Sequence, residues 1–274
     1  MKKILLIDGH NLLFRMFFGM PFPFYNNKNK NITGTVGFVG SVVKMIKYLN
    51  VDECLVVFDG ENSRKIRNDE SYKANRQTDY EDLDENENPF SQLYFIKSVL
   101  NQLDIKWIET DSIECDDYIA IISKQYAGEV YISSTDSDFF QLVNENVKIL
   151  KFRGKNSIII DKDWIYEKYK VYPYQFALYK ALIGDVVDNI KGVNKVGPKT
   201  AINIINSINN SHEDKYKQIY NKNEDLIKLN LNLIELPNRS IEIDQYNISD
   251  CAVNKKLLTN FKNLKFVTEI TNEL

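Results

Sequence analysis

Short apolar segments followed by aspartate recur along this 274-residue chain and constrain its fold more than any other feature. Residues 3–7, 54–58 and 130–132 have the composition of buried parallel strands. The acids that follow these segments are Asp8, Asp59, Asp136 and Asp138. In open α/β sheets the carboxyl ends of the strands meet at one edge, where ligands bind. We therefore expect these carboxylates to lie close together.

Two further groups of acids border apolar segments. Residues 113–122 combine carboxylates with an apolar run and predict a helix that opens with acids, which suit its N-terminal dipole. These acids are Glu114, Asp116 and Asp117. Later in the chain, Asp185 and Asp188 follow the apolar residues 181–183. Their spacing predicts that they are neighbours on one face of a helix.

So many carboxylates at one sheet edge would repel one another unless a cation neutralises them. Mg²⁺ and Mn²⁺ are hard ions that prefer carboxylate and water oxygens. For any single acid, helix capping or a solvated loop is the better explanation. For the whole set, the sequence predicts a divalent metal centre.

The composition indicates an ordinary globular protein of the cytoplasm, with 43% hydrophobic and 27% charged residues. No apolar run reaches membrane-spanning length, and the N-terminus has no secretory signal. The three cysteines, Cys54, Cys115 and Cys251, form no C-x-x-C pair and indicate a reducing compartment. The net charge of -3 does not exclude nucleic acid, because an acidic cluster can mask basic residues grouped elsewhere.

Strands and helices alternate through about residue 160, which predicts an α/β fold with a largely parallel central sheet flanked by helices. We expect residues 1–160 to form the metal-binding core. Residues 161–274 are predicted to be mostly helical and to pack with the core as one unit. Within this second part, residues 226–236 and 255–261 are helix candidates.

A long polar segment at about 61–88 interrupts the core. Its first half is basic and its second half is acidic. Irregular segments of this length in compact domains are usually functional, so the basic half is expected to bind a ligand. A disordered insertion is a serious alternative for the acidic half.

The glycine-rich residues 191–200 resemble a Walker A loop, but Pro198 interrupts that motif and a helix precedes it where a strand is required. A helix–hairpin–helix at about 184–206 explains them better, because proline suits the first turn of a new helix. The free N–H groups of that helix can hold a backbone phosphate. The residues predicted to contact DNA there are Lys191, Gly192, Lys195, Gly197, Lys199 and Thr200. An ordinary helix connection is the alternative.

Taken together, these motifs resemble the 5′ nuclease domain of bacterial DNA polymerase I and the related flap endonucleases, with a PIN-like core. The likeness covers the whole chain, and the motifs occur in the family's order. They are residues 6–9 with Arg15, 57–59, 72–76, 114–117, 136–138 and 184–189, and 235–237.

The resemblance implies a two-metal phosphodiesterase using Mg²⁺ or Mn²⁺, with K⁺ at the helix–hairpin–helix. The ligands it implies for the first metal are Asp8, Asp59, Glu114 and Asp116. Those for the second are Asp136, Asp138 and Asp188, with Asp117 and Asp185 acting through bound water. It also implies catalytic roles for Lys73, Arg76 and Arg15, and an arch over residues 61–88 that clamps a 5′ single strand. Arg64 and Arg67 both depart in spacing from the family's arch arginine, so either could take its place.

By the same resemblance, the expected substrates are DNA flaps, nicks and 5′ overhangs, and an RNA primer in a hybrid. The expected role is primer removal and repair, performed by a monomer. Two alternatives stay open. A DNA-junction binder without catalysis would keep the lysines but would not need nine carboxylates. A phosphatase that forms an aspartyl-phosphate would need a second acid two residues after Asp8, where His10 stands.

Overall fold

A computed structural model describes residues 1–60, 83–208, 214–237, 251–259 and 261–274. At its centre is a six-stranded sheet in the order β3-β2-β1-β4-β5-β6. Its strands are β1 (Lys3–Asp8), β2 (Glu53–Asp59), β3 (Lys106–Thr110), β4 (Glu129–Ser133), β5 (Val147–Lys151) and β6 (Ile158–Ile160). All neighbouring pairs are parallel except β5 and β6. The prediction of a largely parallel sheet flanked by helices is confirmed.

Helices account for most of the remaining described residues. The helices of the α/β part are α1 (Gly9–Gly19), α2 (Thr33–Leu49), α3 (Gln92–Gln102), α4 (Cys115–Gln125) and α5 (Lys162–Tyr169). The later helices are α6 (Phe176–Ile183), α7 (Pro198–Ile208), α8 (Lys215–Lys222), α9 (Glu224–Ile234), α10 (Lys255–Thr259) and α11 (Asn263–Glu273). Within the described ranges, no helix has the length and apolar character needed to cross a bilayer.

Successive residues of β1 pack on opposite faces of the sheet, as the two-residue period of a strand requires. Leu5 and Ile7 are buried in one apolar cluster, whereas Ile4 and Leu6 are buried in another. Each of these side chains contributes on the order of 2 kcal/mol through burial of apolar surface. Because both faces are covered, β1 is apolar at every position between its ends, which is typical of a central parallel strand.

The strand order places a topological switch beside β1. From β1 the chain continues to β2 and then to β3 on one side, and it later returns to β4 on the other side. Connections at such a switch point diverge from the sheet and leave a crevice at the carboxyl ends of the strands. Asp8 and Ser133, the last residues of β1 and β4, border this crevice.

The C-terminal residues return to the α/β part of the molecule. Val267 of α11 is fully buried in the apolar cluster that includes residues of α2 and α3. The side-chain amide of Asn263 donates a 2.7 Å hydrogen bond to the carbonyl of Val36, and that of Asn26 donates to the carbonyl of Thr271 at 2.9 Å. These contacts fix α11 against the core.

The sequence predictions missed α8 and α11 and misplaced the limits of two helices. No residue of α8 is fully buried, and its apolar stripe is limited to Tyr216, Ile219 and Tyr220, which are partly buried against the core. The helices α9 and α10 both end before the predicted residues 236 and 261. At the end of α9, Leu236 precedes Pro237, and the residue before a proline disfavours helical backbone.

The expectation that Asp185 and Asp188 share a helix face is wrong. The helix α6 ends at Ile183, because Gly184 adopts a left-handed backbone with φ 82°. A two-stranded hairpin follows, formed by β7 (Gly184–Asp185) and β8 (Ile190–Lys191). A Cβ atom on Gly184 would lie 2.5 Å from the amide nitrogen of Gly192, so this hairpin also requires the absence of a side chain there.

Candidate metal centre and nucleic-acid interface

Asp8 lies where β1 ends and α1 begins. Its Oδ1 atom accepts a 3.1 Å hydrogen bond from the backbone N–H of Asn11, and its Oδ2 atom accepts a 2.9 Å bond from Ser134 Oγ. Burial raises the pKa of Asp8 to about 7, and the negative charges of Asp59 and Asp136 add to that rise. The ends of β1, β2 and β4 therefore bring their acids into one electrostatic neighbourhood.

Asp59, the last residue of β2, links the sheet to the start of α4. Its Oδ1 atom accepts a 2.8 Å hydrogen bond from the backbone N–H of Cys115, and its Oδ2 atom lies 3.3 Å from Nδ1 of His10. Burial raises the pKa of the Cys115 thiol well above its ordinary value, and Asp8, Asp59 and Asp116 raise it further. Cys115 is therefore held as a neutral thiol beside the acids.

Glu114, Asp116 and Asp117 form a compact group at the N-terminus of α4. Each offers a carboxylate oxygen, and these oxygens lie within 4.8 Å of one another. Glu114 and Asp117 are buried, and the backbone N–H of Asp117 donates a 2.8 Å hydrogen bond to Asp116 Oδ1. A donor set made only of carboxylates suits a hard divalent cation.

Asp136 and Asp138 follow β4, as the sequence predicted. The backbone N–H of Asp138 donates a 2.9 Å hydrogen bond to Asp136 Oδ1, which holds the two carboxylates in one short turn. Burial, together with the negative charges of Asp136 and Asp188, raises the pKa of Asp138 to about 7 against the opposing effect of Lys180. Asp138 thus connects the acids after β4 with those of the later hairpin.

Asp185 and Asp188 stay close to each other even though no helix joins them. Asp185 Oδ1 accepts hydrogen bonds from the backbone N–H groups of Val187 at 2.8 Å and of Asp188 at 3.4 Å. The side chain of Asp188 is only 3% exposed. The turn between β7 and β8, and not a helix, therefore brings Asp185 and Asp188 close together.

Lys180 is a residue of this site that the sequence reasoning missed. Its amino group is buried in α6 and forms ion pairs with Asp138 and with Asp185, the latter at 2.5 Å. Burial alone would lower the pKa of Lys180, but these carboxylates raise it above its ordinary value. Burial would likewise raise the pKa of Asp185, but the hydrogen bond from Lys180 lowers it. The available signal was a lone charge within the otherwise apolar residues 176–183.

The structure thus links all nine predicted acids through a continuous series of neighbours. Burial and the negative charges of neighbouring acids favour the protonated forms of Asp8 and Asp138 in the absence of a cation. The donor chemistry therefore fits divalent metal ions. The division of these acids between a first and a second ion stays a prediction.

Arg15 lies in α1 and contacts the residue that follows β5. It donates a 2.6 Å hydrogen bond to the carbonyl of Phe152. Burial lowers the pKa of Arg15, Arg153 lowers it further, and Asp8 opposes both effects. Its catalytic role stays a prediction. The predicted residues Arg64, Arg67, Lys73 and Arg76 lie outside the described residues.

The glycine-rich residues form a turn that leads into α7, which begins at Pro198 as predicted. A Cβ atom on Gly192 would lie 2.3 Å from the carbonyl carbon of Ile183, so only glycine fits there. The left-handed position is Lys195, with φ 61°, whereas a Cβ atom on Gly197 would meet open space. The predicted contact residues Lys191, Lys195, Gly197 and Lys199 are exposed, and Gly192 and Thr200 are half-buried.

Asp8→Asn should stabilise the metal-free protein at high pH. Because burial raises the folded-state pKa of Asp8 from 3.8 to about 7, its effect on stability becomes unfavourable as the pH rises through that window. Asparagine keeps the helix cap but cannot ionise. We expect a gain of about 2 kcal/mol near pH 8 and almost none near pH 4, measured by thermal unfolding in EDTA.

The matched control is Asp104→Asn, at an exposed left-handed position that asparagine also tolerates. It should shift the melting temperature equally at both pH values. A loss of stability in Asp8→Asn near pH 8 would show that the hydrogen bonds from Asn11 and Ser134 outweigh the cost of the buried charge.

Comparison with known families decides the identity of the fold. A family model described as the 5′-3′ exonuclease N-terminal resolvase-like domain matches residues 3–170. A second, described as the 5′-3′ exonuclease C-terminal SAM fold, matches residues 171–245. The chain belongs to the 5′-3′ exonuclease family.

This 5′-3′ exonuclease family member is 34% identical over 242 residues to the 5′-3′ exonuclease of Buchnera aphidicola from Acyrthosiphon pisum. That match covers 84% of the chain and 77% of the relative. It is 31% identical over 278 residues to DNA polymerase I of Borreliella burgdorferi, a match that covers 99% of the chain but 28% of the polymerase. The chain therefore spans little more than a quarter of that relative.

Among solved structures, the 5′-3′ exonuclease fold described above is similar to the T5 5′-exonuclease determined with bound zinc ions. The TM-score is 0.67 at 26% sequence identity, and the match covers 98% of each chain. The similarity extends over both the sheet and the later helices. The predicted membership of the polymerase-type 5′ nucleases is thereby confirmed.

Proposed function

We propose that this protein hydrolyses DNA phosphodiester bonds as a structure-specific 5′-3′ exonuclease and 5′ flap endonuclease. The observation that carries the proposal is the series of nine carboxylates at the switch point of the sheet, with two of them raised in pKa to about 7. Acids arranged in this way favour a bound cation over an empty site. Relatives named 5′-3′ exonuclease support the same activity.

The proposed cofactors are two Mg²⁺ or Mn²⁺ ions. The residues that would hold the first are Asp8, Asp59, Glu114 and Asp116. Those that would hold the second are Asp136, Asp138 and Asp188, with Asp117 and Asp185 acting through water. When bound, such ions activate an attacking water and stabilise the leaving oxygen.

The protein's own groups fix the acids before any substrate arrives. The N–H of Asn11 and the hydroxyl of Ser134 each donate to a different oxygen of Asp8, and the N–H of Cys115 donates to one oxygen of Asp59. Donors on these oxygens restrict rotation of the carboxylates. The site is therefore oriented by backbone and hydroxyl groups.

Around this centre we propose positively charged contacts to DNA. Arg15, Lys73 and Arg76 would contact the scissile phosphate, and Arg64 and Arg67 would hold the 5′ strand in the arch. The N-terminus of α7 would hold a duplex phosphate, because its first N–H groups are free to donate. The residues proposed to contribute there, together with a K⁺ ion, are Lys191, Gly192, Lys195, Gly197, Lys199 and Thr200.

The wider assignments follow from this activity. We propose a monomer of the cytoplasm that acts in primer removal and repair, on DNA flaps, nicks and 5′ overhangs and on RNA primers in hybrids. In this proposal residues 1–160 cut the DNA, and residues 161–274 hold the duplex while packing with the core as one unit.

Replacing Lys195 and Lys199 together with alanine should weaken duplex binding equally for all DNA sequences. Lys195 is exposed in the turn that precedes α7 and Lys199 is exposed in the first turn of α7, and contacts to phosphate carry no base information. The slope of log affinity against log salt should fall by about one for each phosphate that the variant no longer neutralises. Fluorescence anisotropy with two unrelated duplexes over a range of salt concentrations measures both effects.

The matched control is Lys256→Ala with Lys262→Ala, which removes the same charge from exposed positions near the C-terminus. The control should shift affinity less and leave the slope close to the wild-type value. If the two double variants gave equal slopes of log affinity against log salt, Lys195 and Lys199 would not contact DNA.

The function is tested with a 5′-labelled flap duplex, incubated with Mg²⁺ and, in parallel, with EDTA. We expect a short labelled product with Mg²⁺ and none with EDTA. Binding of the flap without cleavage in either reaction would favour the alternative of a non-catalytic junction binder. The same preparation made from Asp136→Asn excludes a contaminating nuclease.

A further inference from the structure

Lys180 places a positive charge inside the group of acids proposed to hold the second metal ion. Its side chain is only 7% exposed and lies against Asp138 and Asp185. Asp136 and Asp188 act on Asp138 from the same neighbourhood. The ammonium of Lys180 therefore acts on the three carboxylates of Asp136, Asp138 and Asp185, so the carboxylates outnumber the amino group.

The two ion pairs constrain what Asp138 and Asp185 can do for another cation. The Oδ1 atom of Asp138 and the Oδ2 atom of Asp185 accept bonds from the amino group of Lys180. A lone pair engaged with an ammonium is not available to a metal ion, and two like charges at this spacing repel. An entering ion must therefore displace the amino group or bind beside it at a cost.

We propose that Lys180 is a built-in counter-ion that sets the affinity of the second metal position. The inference rests on the proposed two-metal function and adds a determinant of how the site is loaded. In the metal-free protein Lys180 partly neutralises the acids and stabilises the fold. On loading, the metal ion takes over that charge, so the intrinsic affinity of the carboxylates is reduced by the cost of moving the lysine.

The test is a calorimetric titration of Lys180→Met with Mn²⁺, in parallel with wild type. Methionine has a similar length and no charge, so the competing cation is removed with little change in volume. We expect the weaker of two Mn²⁺-binding steps to tighten by about tenfold or more, because the competing occupant is gone. The melting temperature in EDTA should fall, and saturating Mn²⁺ should restore it.

Two further variants sharpen the experiment. Lys148→Met removes a half-buried lysine that pairs with Glu129, away from the acids, and should leave Mn²⁺ affinity unchanged. Lys180→Arg keeps the positive charge and should keep the weak second step. An increase in affinity shared by Lys148→Met would assign the effect to overall charge and overturn the proposal.

The proposal can also be tested if Lys180→Met does not fold without a metal ion. If Lys180→Met folds only when Mn²⁺ is present, the ion replaces the lysine as proposed. If it fails to fold with and without Mn²⁺, or folds and binds Mn²⁺ as wild type does, Lys180 is a structural ion pair and the proposal is wrong. Flap cleavage by the wild-type protein is scored separately, so an inactive wild type counts against the nuclease function and an unchanged affinity counts against Lys180 alone.

Discussion

Asp136→Asn should slow flap cleavage by roughly three orders of magnitude, which corresponds to about 4 kcal/mol of activation free energy. Asparagine keeps the shape of the side chain and can still accept the hydrogen bond from the Asp138 N–H. It removes one negative charge from the set that would hold the second metal ion. Because DNA is expected to be held by basic residues elsewhere, flap binding should change only a few-fold.

Single-turnover cleavage at saturating enzyme and anisotropy in EDTA separate these two quantities for Asp136→Asn. The metal-free variant should also melt at a higher temperature, because Asp136 raises the pKa of both Asp8 and Asp138. Asp163→Asn makes the same change at an exposed position of α5 and should cut normally. If Asp136→Asn cleaved the flap at the wild-type rate, Asp136 would not be a ligand of the metal centre.

Phe140→Ala should destabilise the protein by about 4 kcal/mol through loss of buried surface and formation of a cavity. The ring of Phe140 is 0% exposed and meets Trp164, Tyr169 and Phe176 at centroid distances of 5.9, 6.0 and 5.2 Å. Loss of the edge-on interactions with Trp164 and Phe176 adds to the destabilisation. Chemical denaturation in EDTA measures the change directly.

Phe140 lies in the same short turn as Asp138, so its replacement should also disturb the position of that carboxylate. We expect cleavage to fall under conditions where the variant is still folded, as judged by circular dichroism. Phe22→Ala, at a side chain that is 71% exposed, serves as the control and should cost less than about 0.5 kcal/mol. A similar decrease in both variants would show that the aromatic cluster does not support the turn.

The edge where the acids meet could be predicted from the sequence because two local signals coincide there. Short apolar runs identify β1, β2 and β4, and parallel strands bring their carboxyl ends together whatever the connections between them. Asp8, Asp59 and Asp136 therefore converge for a reason that needs no tertiary detail.

Other features depend on interactions that no local pattern encodes. The prediction that Asp185 and Asp188 share a helix face was wrong because Gly184 takes a left-handed backbone and ends the helix. At that point Gly184 lies against Gly192, a contact between residues that are separated along the chain. Lys180 has an ordinary helical context, and its ion pairs require α6 to pack against the turn that carries Asp138. The burial of Val267 likewise depends on α2 and α3.

The position of β1 has a consequence for synthesis of the protein. Among the strands of the sheet β1 is made first, yet one of its two partners, β4, is separated from it by more than half of the α/β part of the chain. During translation one edge of β1 therefore stays unpaired until β4 has been synthesised. An unpaired apolar edge can bind chaperones or cause aggregation. The acids after β4 and in the later hairpin arrive last. Under the proposed two-metal function, a nascent chain still attached to the ribosome would be unable to cut nucleic acid until Asp188 has emerged.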